Sequence, residues 1–195
     1  TALGFTEHSF AHVTKCAEVA ARILTQLGYS PKEVELAKIA AFMHDIGNVV
    51  NRHDHAISGA TMAFRILDKM GMEPADVAAV ITAIGHHDDS TAFPVNAVAA
   101  ALILADKSDV RRSRVRNKDM ATFDIHDRVN YSVERSEVLL DVPGRTVTLS
   151  LSINTQVCAV MDYFEIFLQR MLLCRRAAEA LSLKFRLEIN GQVLL

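Results

Sequence analysis

Histidine and aspartate residues stand where two apolar helical runs of this sequence end. The run Ala40-Ala41-Phe42-Met43 leads directly into His44-Asp45, and a second apolar run leads into His86-His87. An imidazole and a carboxylate at the inner end of a buried helix are costly to desolvate unless a partner satisfies them. A divalent metal can satisfy both, because histidine offers nitrogen and aspartate oxygen, a mixed set that suits Fe, Mn, Co, Ni or Zn.

Five histidines and two aspartates share this placement at a helix end or an opening turn. They are His12, His44, His55, His86 and His87, with Asp45 and Asp106. Each of them alone could be satisfied by local hydrogen bonds. Together they indicate a metal site in the core of a helical bundle, built from side chains on facing helices. His8 lies one helical turn before His12, so the two would project from the same face.

The helices that would position these groups follow one another through the first part of the chain. Helical spacing of apolar residues predicts helices at about 6–27, 31–44, 55–70, 74–85 and 95–107. The second helix begins with a capping box at Ser30-Pro31-Lys32-Glu33. Gly47 is expected to let the chain turn after His44-Asp45. The apolar run from Val98 to Ala105 predicts a central, buried fifth helix.

The pattern changes after about residue 120. Residues 129–133 and 138–142 alternate loosely, with a break near Arg135-Ser136 that suggests a β-bulge, and residues 147–153 alternate cleanly. A long helix is predicted at about 155–181, and Asn190-Gly191 marks a two-residue hairpin turn. We therefore predict a mainly α protein, α+β overall. Residues 1–119 would form a helical domain, and residues 120–195 an annex with a small antiparallel sheet and one long helix.

The composition allows one core of good size, since the chain has 195 residues and half of them are hydrophobic. Its 21 basic and 23 acidic residues give a formal charge of −2, so there is no reason to expect a nucleic-acid partner or a membrane surface. No apolar stretch is long enough to span a bilayer, and no signal peptide is visible. Cys16, Cys158 and Cys174 are odd in number and far apart, as expected of reduced thiols in a cytoplasmic protein.

The motifs resemble those of the HD-domain superfamily of metal-dependent phosphohydrolases. The family pattern is an early His, then a His-Asp pair and then a distant Asp, and three segments of this chain match it. The resemblance covers about residues 6–118. The segments are His12-Val-Thr-Lys15-Cys-Ala17, His44-Asp-Ile-Gly47 and Leu104-Ala-Asp106-Lys107. The additional His55 and His86-His87 resemble members with two metals, including cyclic-dinucleotide phosphodiesterases. Asn48 stands where a lysine is often found, and Ala92-Phe93-Pro94 replaces the glycine-tyrosine-proline loop of that branch, which weakens the cyclic-dinucleotide interpretation.

The resemblance implies a role for each site residue. One metal would be held by His12, His44, Asp45 and Asp106, and Asp45 would bridge to a second held by His55, His86 and His87. Fe or Mn is favoured over Co, Ni, Mg or Zn. Metal-bound hydroxide would attack phosphorus in line. Asp45, Lys107 and His8 are the catalytic candidates, although Lys107 could equally pair with a nearby carboxylate. Lys15, Arg111 and Arg112 are candidates for binding substrate phosphate, and His53 and His126 are expected at the surface.

The leading functional hypothesis is therefore hydrolysis of a phosphate ester of a nucleotide or a similar small phosphorylated molecule. A regulatory protein that binds a metal and a nucleotide without turnover, on the same scaffold, is the alternative. An oxygenase with two irons in a related helical site is a third hypothesis. The annex could form a homodimer interface, although its helix could simply cover its own sheet.

Overall fold

The computed structural model describes residues 10–89, 92–115, 117 and 119–194. Its helices are α1 (Phe10–Gln26), α2 (Pro31–Met43), α3 (His55–Lys69), α4 (Pro74–Gly85), α5 (Ala97–Ser108), α6 (Ile125–Ser132) and α7 (Val160–Ala180). Short 3-10 turns span Ile46–Val49, Arg112–Arg114 and Met120–Thr122. Within these described ranges, no helix combines the length and apolarity needed to cross a membrane.

Helix α5 is the centre of the helical part. Helices α1, α2, α4 and α7 all pack against it, and Leu102 and Ile103 are completely buried. Three consecutive alanines, Ala99 to Ala101, are also fully buried and let neighbouring helices approach closely. Because α5 is enclosed by the other helices, the polar residues at its carboxyl end are carried into the protein interior.

Local signals in the sequence fix where the site-bearing helices begin and end. The capping box of α2 is present: the Ser30 hydroxyl accepts from the Glu33 amide at 3.3 Å, and Glu33 Oε2 accepts from the Ser30 amide at 3.0 Å. This helix ends with His44 as its C-cap. Helix α3 begins at His55, directly after Asp54, whose φ of 57° lies in the left-handed region. The segment 45–54, which contains the short turn Ile46–Val49, connects the two helix ends.

The four strands are β1 (Val133–Asp141), β2 (Thr146–Ile153), β3 (Lys184–Ile189) and β4 (Gln192–Val193), in the spatial order β1-β2-β3-β4. The predicted mainly α fold with α+β character is confirmed, but the sheet is mixed rather than wholly antiparallel. Strands β2 and β3 are parallel, whereas the two outer pairs are antiparallel. The reason is that α7 connects β2 to β3 as a crossover and returns the chain to the same end of the sheet.

One predicted strand of the annex is wrong, whereas the predicted bulge and hairpin turn are confirmed. The strand predicted at 129–133 is wrong, because residues 125–132 form α6, whose first turn is capped by the Asp124 carboxylate at 2.8 Å from the Asp127 amide. The predicted bulge is confirmed by a register shift between Val133 and Arg135. The predicted hairpin turn is confirmed at Asn190 and Gly191, whose φ angles of 52° and 80° are both positive.

The annex and the helical part share one hydrophobic core. Phe167, Met171 and Cys174 of α7 are buried and belong to the same cluster as α5. The domain boundary predicted near residue 119 therefore falls between two parts that pack directly on each other.

Gly47 is required by a close approach between backbones. A Cβ at this position would run into the His55 carbonyl and would lie 2.6 Å from the Gly59 amide nitrogen. We expect Gly47→Ala to lower the free energy of unfolding by about 1–3 kcal/mol, as overpacking usually does, and urea denaturation measures this. Gly85→Ala is the control, since its Cβ would meet Ala60 at an ordinary 3.7 Å. Equal stability of the two variants would contradict this role of Gly47.

Candidate metal centre

Two histidines and two aspartates from α1, α2, α5 and the turn after α2 converge on one point in the interior. His12 Nε2 lies 3.2 Å from Asp106 Oδ1 and 3.7 Å from Asp45 Oδ2. His44 Nε2 lies 3.4 Å from Asp45 Oδ2 and 3.6 Å from Asp106 Oδ1. A metal ion about 2.1 Å from each ligand separates neighbouring ligand atoms by about 3 to 3.5 Å. We call these four residues the first cluster; His12, His44 and Asp106, together with Cys16, bring ligand atoms within 4.8 Å of one another.

The His44 ring is held in a state suited to metal binding. Its Nδ1 donates to the Ala41 carbonyl at 2.6 Å, so in the neutral ring Nε2 carries a lone pair. That Nε2 is buried and has no hydrogen-bond partner among the described residues, while two carboxylate oxygens lie near it. A lone pair that faces carboxylates in the protein interior is unfavourable unless a cation lies between them. The first cluster therefore fits a divalent metal.

The electrostatics of His12 also indicate that a cation belongs at this point. Burial would lower the pKa of His12, but hydrogen bonds with Asp106 and Asp109 outweigh it and raise the pKa to about 11. The protonated ring thus supplies the positive charge that the surrounding carboxylates require. A metal ion would supply that charge instead and release the ring nitrogen as a ligand.

Asp109 is a site residue that the sequence analysis missed. Its carboxylate is completely buried, and its Oδ2 lies 2.8 Å from His12 Nδ1, which directs Nε2 of that ring toward the first cluster. Burial would raise the pKa of Asp109, but His12 and Lys15 hold it well below its usual range. Its position three residues after Asp106, at the end of the buried α5, is the sequence signal that could have identified it.

Two residues predicted to bind substrate phosphate, Lys15 and Arg111, contact Asp109. Lys15 Nζ and Arg111 Nε each lie 2.9 Å from Asp109 Oδ1. The third, Arg112, donates from Nε to the Tyr131 carbonyl at 2.8 Å and lies over the Tyr131 ring. Their contacts therefore support the region around Asp109 and α6.

A second cluster of His55, His87 and Asp45 lies beside the first, and His87 and Asp45 also bring ligand atoms within 4.8 Å of one another and of His44. The Nε2 atoms of His55 and His87 are 3.2 Å apart, and Asp45 Oδ1 is 3.5 Å from His55 Nε2. Each ring donates from Nδ1 to a carbonyl, of Arg52 at 3.0 Å and of Ile84 at 2.6 Å. Burial lowers the pKa of both rings, that of His87 to about 3, so both are neutral. Asp45 thus presents one oxygen to each cluster.

Three other candidates lie differently. The His86 side chain joins neither cluster of the described residues, because successive residues at a helix end point in different directions, and His87 takes the inward position. His8 lies outside the described residues. Cys16 lies close to the first cluster, but its Sγ is 3.7 and 3.8 Å from the two His12 nitrogens. The sulfur therefore lies beside the ring rather than along its Nε2 lone pair.

A cavity of about 350 Å³ opens over both clusters. Side chains from the helical part and from the annex line it, among them Asp45, Asp106, Lys107, Arg52, Arg114, His126, Asn130 and Arg170. The buried Lys107 lies 2.8 Å from Asp106 Oδ2 and 3.1 Å from Asp89 Oδ1. Burial would lower the pKa of Lys107, but these carboxylates raise it, so the amine stays charged. Arg170 of α7 pairs with Asp89 at 3.0 Å, which ties the annex to the cavity wall.

Because Asp109 orients His12, Asp109→Asn should weaken Mn²⁺ binding about 10- to 100-fold, as loss of a group that orients a ligating histidine usually does. Isothermal titration calorimetry on the purified protein measures this. Asp68→Asn, which changes an exposed carboxylate on α3, is the control and should bind as the wild type does. An unchanged affinity in Asp109→Asn would show that Asp109 does not position His12.

Comparison with known proteins gives one match. The family description of the HD domain matches residues 9–165, which is well over half of the chain and includes the clusters, α6 and the first turn of α7. Searches of curated proteins and of solved structures found no match. The match confirms the resemblance inferred from the spacing of His12, His44-Asp45 and Asp106, and it extends beyond residue 118 into the annex. The chain belongs to the HD domain family.

Proposed function

We propose that this protein is a metal-dependent phosphohydrolase that acts on a small phosphorylated molecule. The observation that carries the proposal is the first cluster, in which buried His44 Nε2 has no hydrogen-bond partner among the described residues and faces two carboxylates. HD domains are generally metal-dependent hydrolases, and the cavity above this cluster gives a substrate access to it.

His12, His44, Asp45 and Asp106 would hold the ion, and His55 and His87 are candidates for a second position beside it. The mixed nitrogen and oxygen donors suit Fe or Mn, with Co, Ni, Mg and Zn as further candidates. When bound there, a divalent ion supplies Lewis acidity, which activates a water molecule and offsets the charge on the phosphoryl oxygens.

The cationic side chains of the cavity would bind and orient the phosphate group. Lys107 carries its charge beside Asp106, and Arg52 and Arg170 line the same cavity. Fixed positive charges in a partly enclosed site stabilise the negative charge of the transition state more strongly than they would in water. Lys107 is therefore the proposed stabiliser of the reacting phosphoryl group, and its contacts with Asp106 and Asp89 hold it in place.

The proposed substrate is a nucleotide or a molecule of similar size, since the cavity volume is about 350 Å³. Helix α6 provides polar groups on the cavity wall, including His126 and Asn130. These groups could hydrogen-bond the part of the substrate that leaves. His8 remains a proposed acid for the leaving group, and the annex a proposed homodimer interface.

A turnover assay tests the function. Purified protein with added Mn²⁺ is assayed on p-nitrophenyl phosphate, bis-p-nitrophenyl phosphate and a panel of nucleotides. We expect Asp45→Ala to lower kcat/KM at least about 100-fold, because a metal contributes several kcal/mol to the transition state and about 1.4 kcal/mol is tenfold in rate.

His53→Ala is the matched control, since the His53 side chain is 85% exposed, pairs with Asp54 and lies outside both clusters. It should retain wild-type turnover. The proposal is wrong if wild type and Asp45→Ala give the same background on every substrate. Tight nucleotide binding without turnover at full metal occupancy would favour the regulatory alternative.

A further inference from the structure

The position between His55 and Asp45 already holds a positive charge from the protein. The Arg52 guanidinium donates from one terminal nitrogen to His55 Nε2 at 3.3 Å, and the same nitrogen lies 3.7 Å from Asp45 Oδ1. These two acceptors are the atoms through which His55 and Asp45 would bind a second ion. The guanidinium therefore already engages the atoms that such an ion would need.

Asn48 strengthens this arrangement. Its amide nitrogen donates to Asp45 Oδ1 at 2.7 Å, and its amide oxygen accepts from the same Arg52 nitrogen at 3.2 Å. Asn48 lies in the short turn Ile46–Val49, which folds back so that the Asn48 amide also meets the Asp45 carbonyl. The segment that supplies Asp45 thus also supplies the two groups that engage its second oxygen.

The lone pair of His55 and the charge of Arg52 both make the guanidinium and a second ion mutually exclusive. The neutral His55 ring has one lone pair, on Nε2, and Arg52 donates to it, so an ion that bound this atom at about 2.1 Å would have to displace the Arg52 nitrogen. It would also meet the like charge of the guanidinium at close range. The first cluster differs, because its nearest amine, Lys107, contacts Asp106 Oδ2 and leaves Oδ1 to the histidines.

We propose that Arg52 takes the place of a second metal ion, so that the chain binds one divalent ion tightly, in the first cluster. This inference rests on the metal centre of the proposed function. Arg52 lines the cavity and its side chain is 33% exposed, so its guanidinium also faces an entering substrate. At the two clusters, a phosphate group would then meet one metal ion and the Arg52 guanidinium.

Counting bound ions tests the proposal. The full chain is titrated with Mn²⁺, bound metal is measured by equilibrium dialysis with elemental analysis, and electron paramagnetic resonance distinguishes isolated from coupled ions. The wild type should bind one tight ion with the spectrum of an isolated Mn²⁺. Arg52→Met should bind two, with the spectrum of an exchange-coupled pair, because the second position is then open.

Arg170→Met is the matched control, since it removes a guanidinium from the same cavity that contacts Asp89 rather than Asp45. It should still bind one ion. Arg52→Gln provides a second test if Arg52→Met does not fold, and thermal denaturation checks both variants. Two tight ions in the wild type, or one ion in the folded Arg52 variants, would overturn the role of Arg52 and leave the metal centre standing. A wild type that binds no Mn²⁺ would overturn the metal centre itself.

Discussion

The burial of several carboxylates beside histidine rings is the constraint on which the rest of this structure depends. Asp45, Asp106 and Asp109 are almost entirely removed from water and lie around His12 and His44. Negative charge in the protein interior is tolerated only when cations and hydrogen bonds compensate it. Lys15 and Lys107 compensate part of it from either side. Arg111 and Arg52 contribute further positive charge, and a divalent ion fits at the point between the two histidines.

The helical core is built to bring these groups together. Helix α5 consists largely of small and aliphatic residues and is enclosed by neighbouring helices, so its carboxyl end delivers Asp106, Lys107 and Asp109 to the interior. Gly47 lets the turn after α2 lie against the start of α3, which brings His55 next to Asp45. The annex contributes to the same site, because α6 and α7 wall the cavity. The elements that form the shared core therefore also position the residues of the site.

Much of this could be predicted from the sequence, because helical periodicity and caps are local signals. The ends of α2 and α5 follow from apolar runs, so His44, Asp45 and Asp106 could be placed from the amino-acid sequence, and the resemblance to the HD domain family assigned them, with His12, to one metal. Pairing between distant side chains carries no such signal. Nothing in the spacing of Lys15, Arg111 and Asp109 indicates that these two cations contact a buried carboxylate.

The lack of a local signal for contacts between distant residues also explains the other differences between prediction and structure. Whether Arg52 faces solvent or Asp45 depends on how a short turn folds back. Residues 129–132 alternate weakly between apolar and polar, as a strand would, but they lie in α6, whose first turn is capped by Asp124. The parallel pairing of β2 with β3 depends on where α7 packs, which is a property of the shared core and not of either strand.

The most direct test of the central claim is diffraction from crystals grown with Mn²⁺, recorded at the manganese absorption edge. We expect an anomalous peak among His12 Nε2, His44 Nε2, Asp45 Oδ2 and Asp106 Oδ1, about 2.0–2.3 Å from each of them. Crystals saturated with Mn²⁺ that show no peak at this point, or only peaks at surface carboxylates, would contradict it.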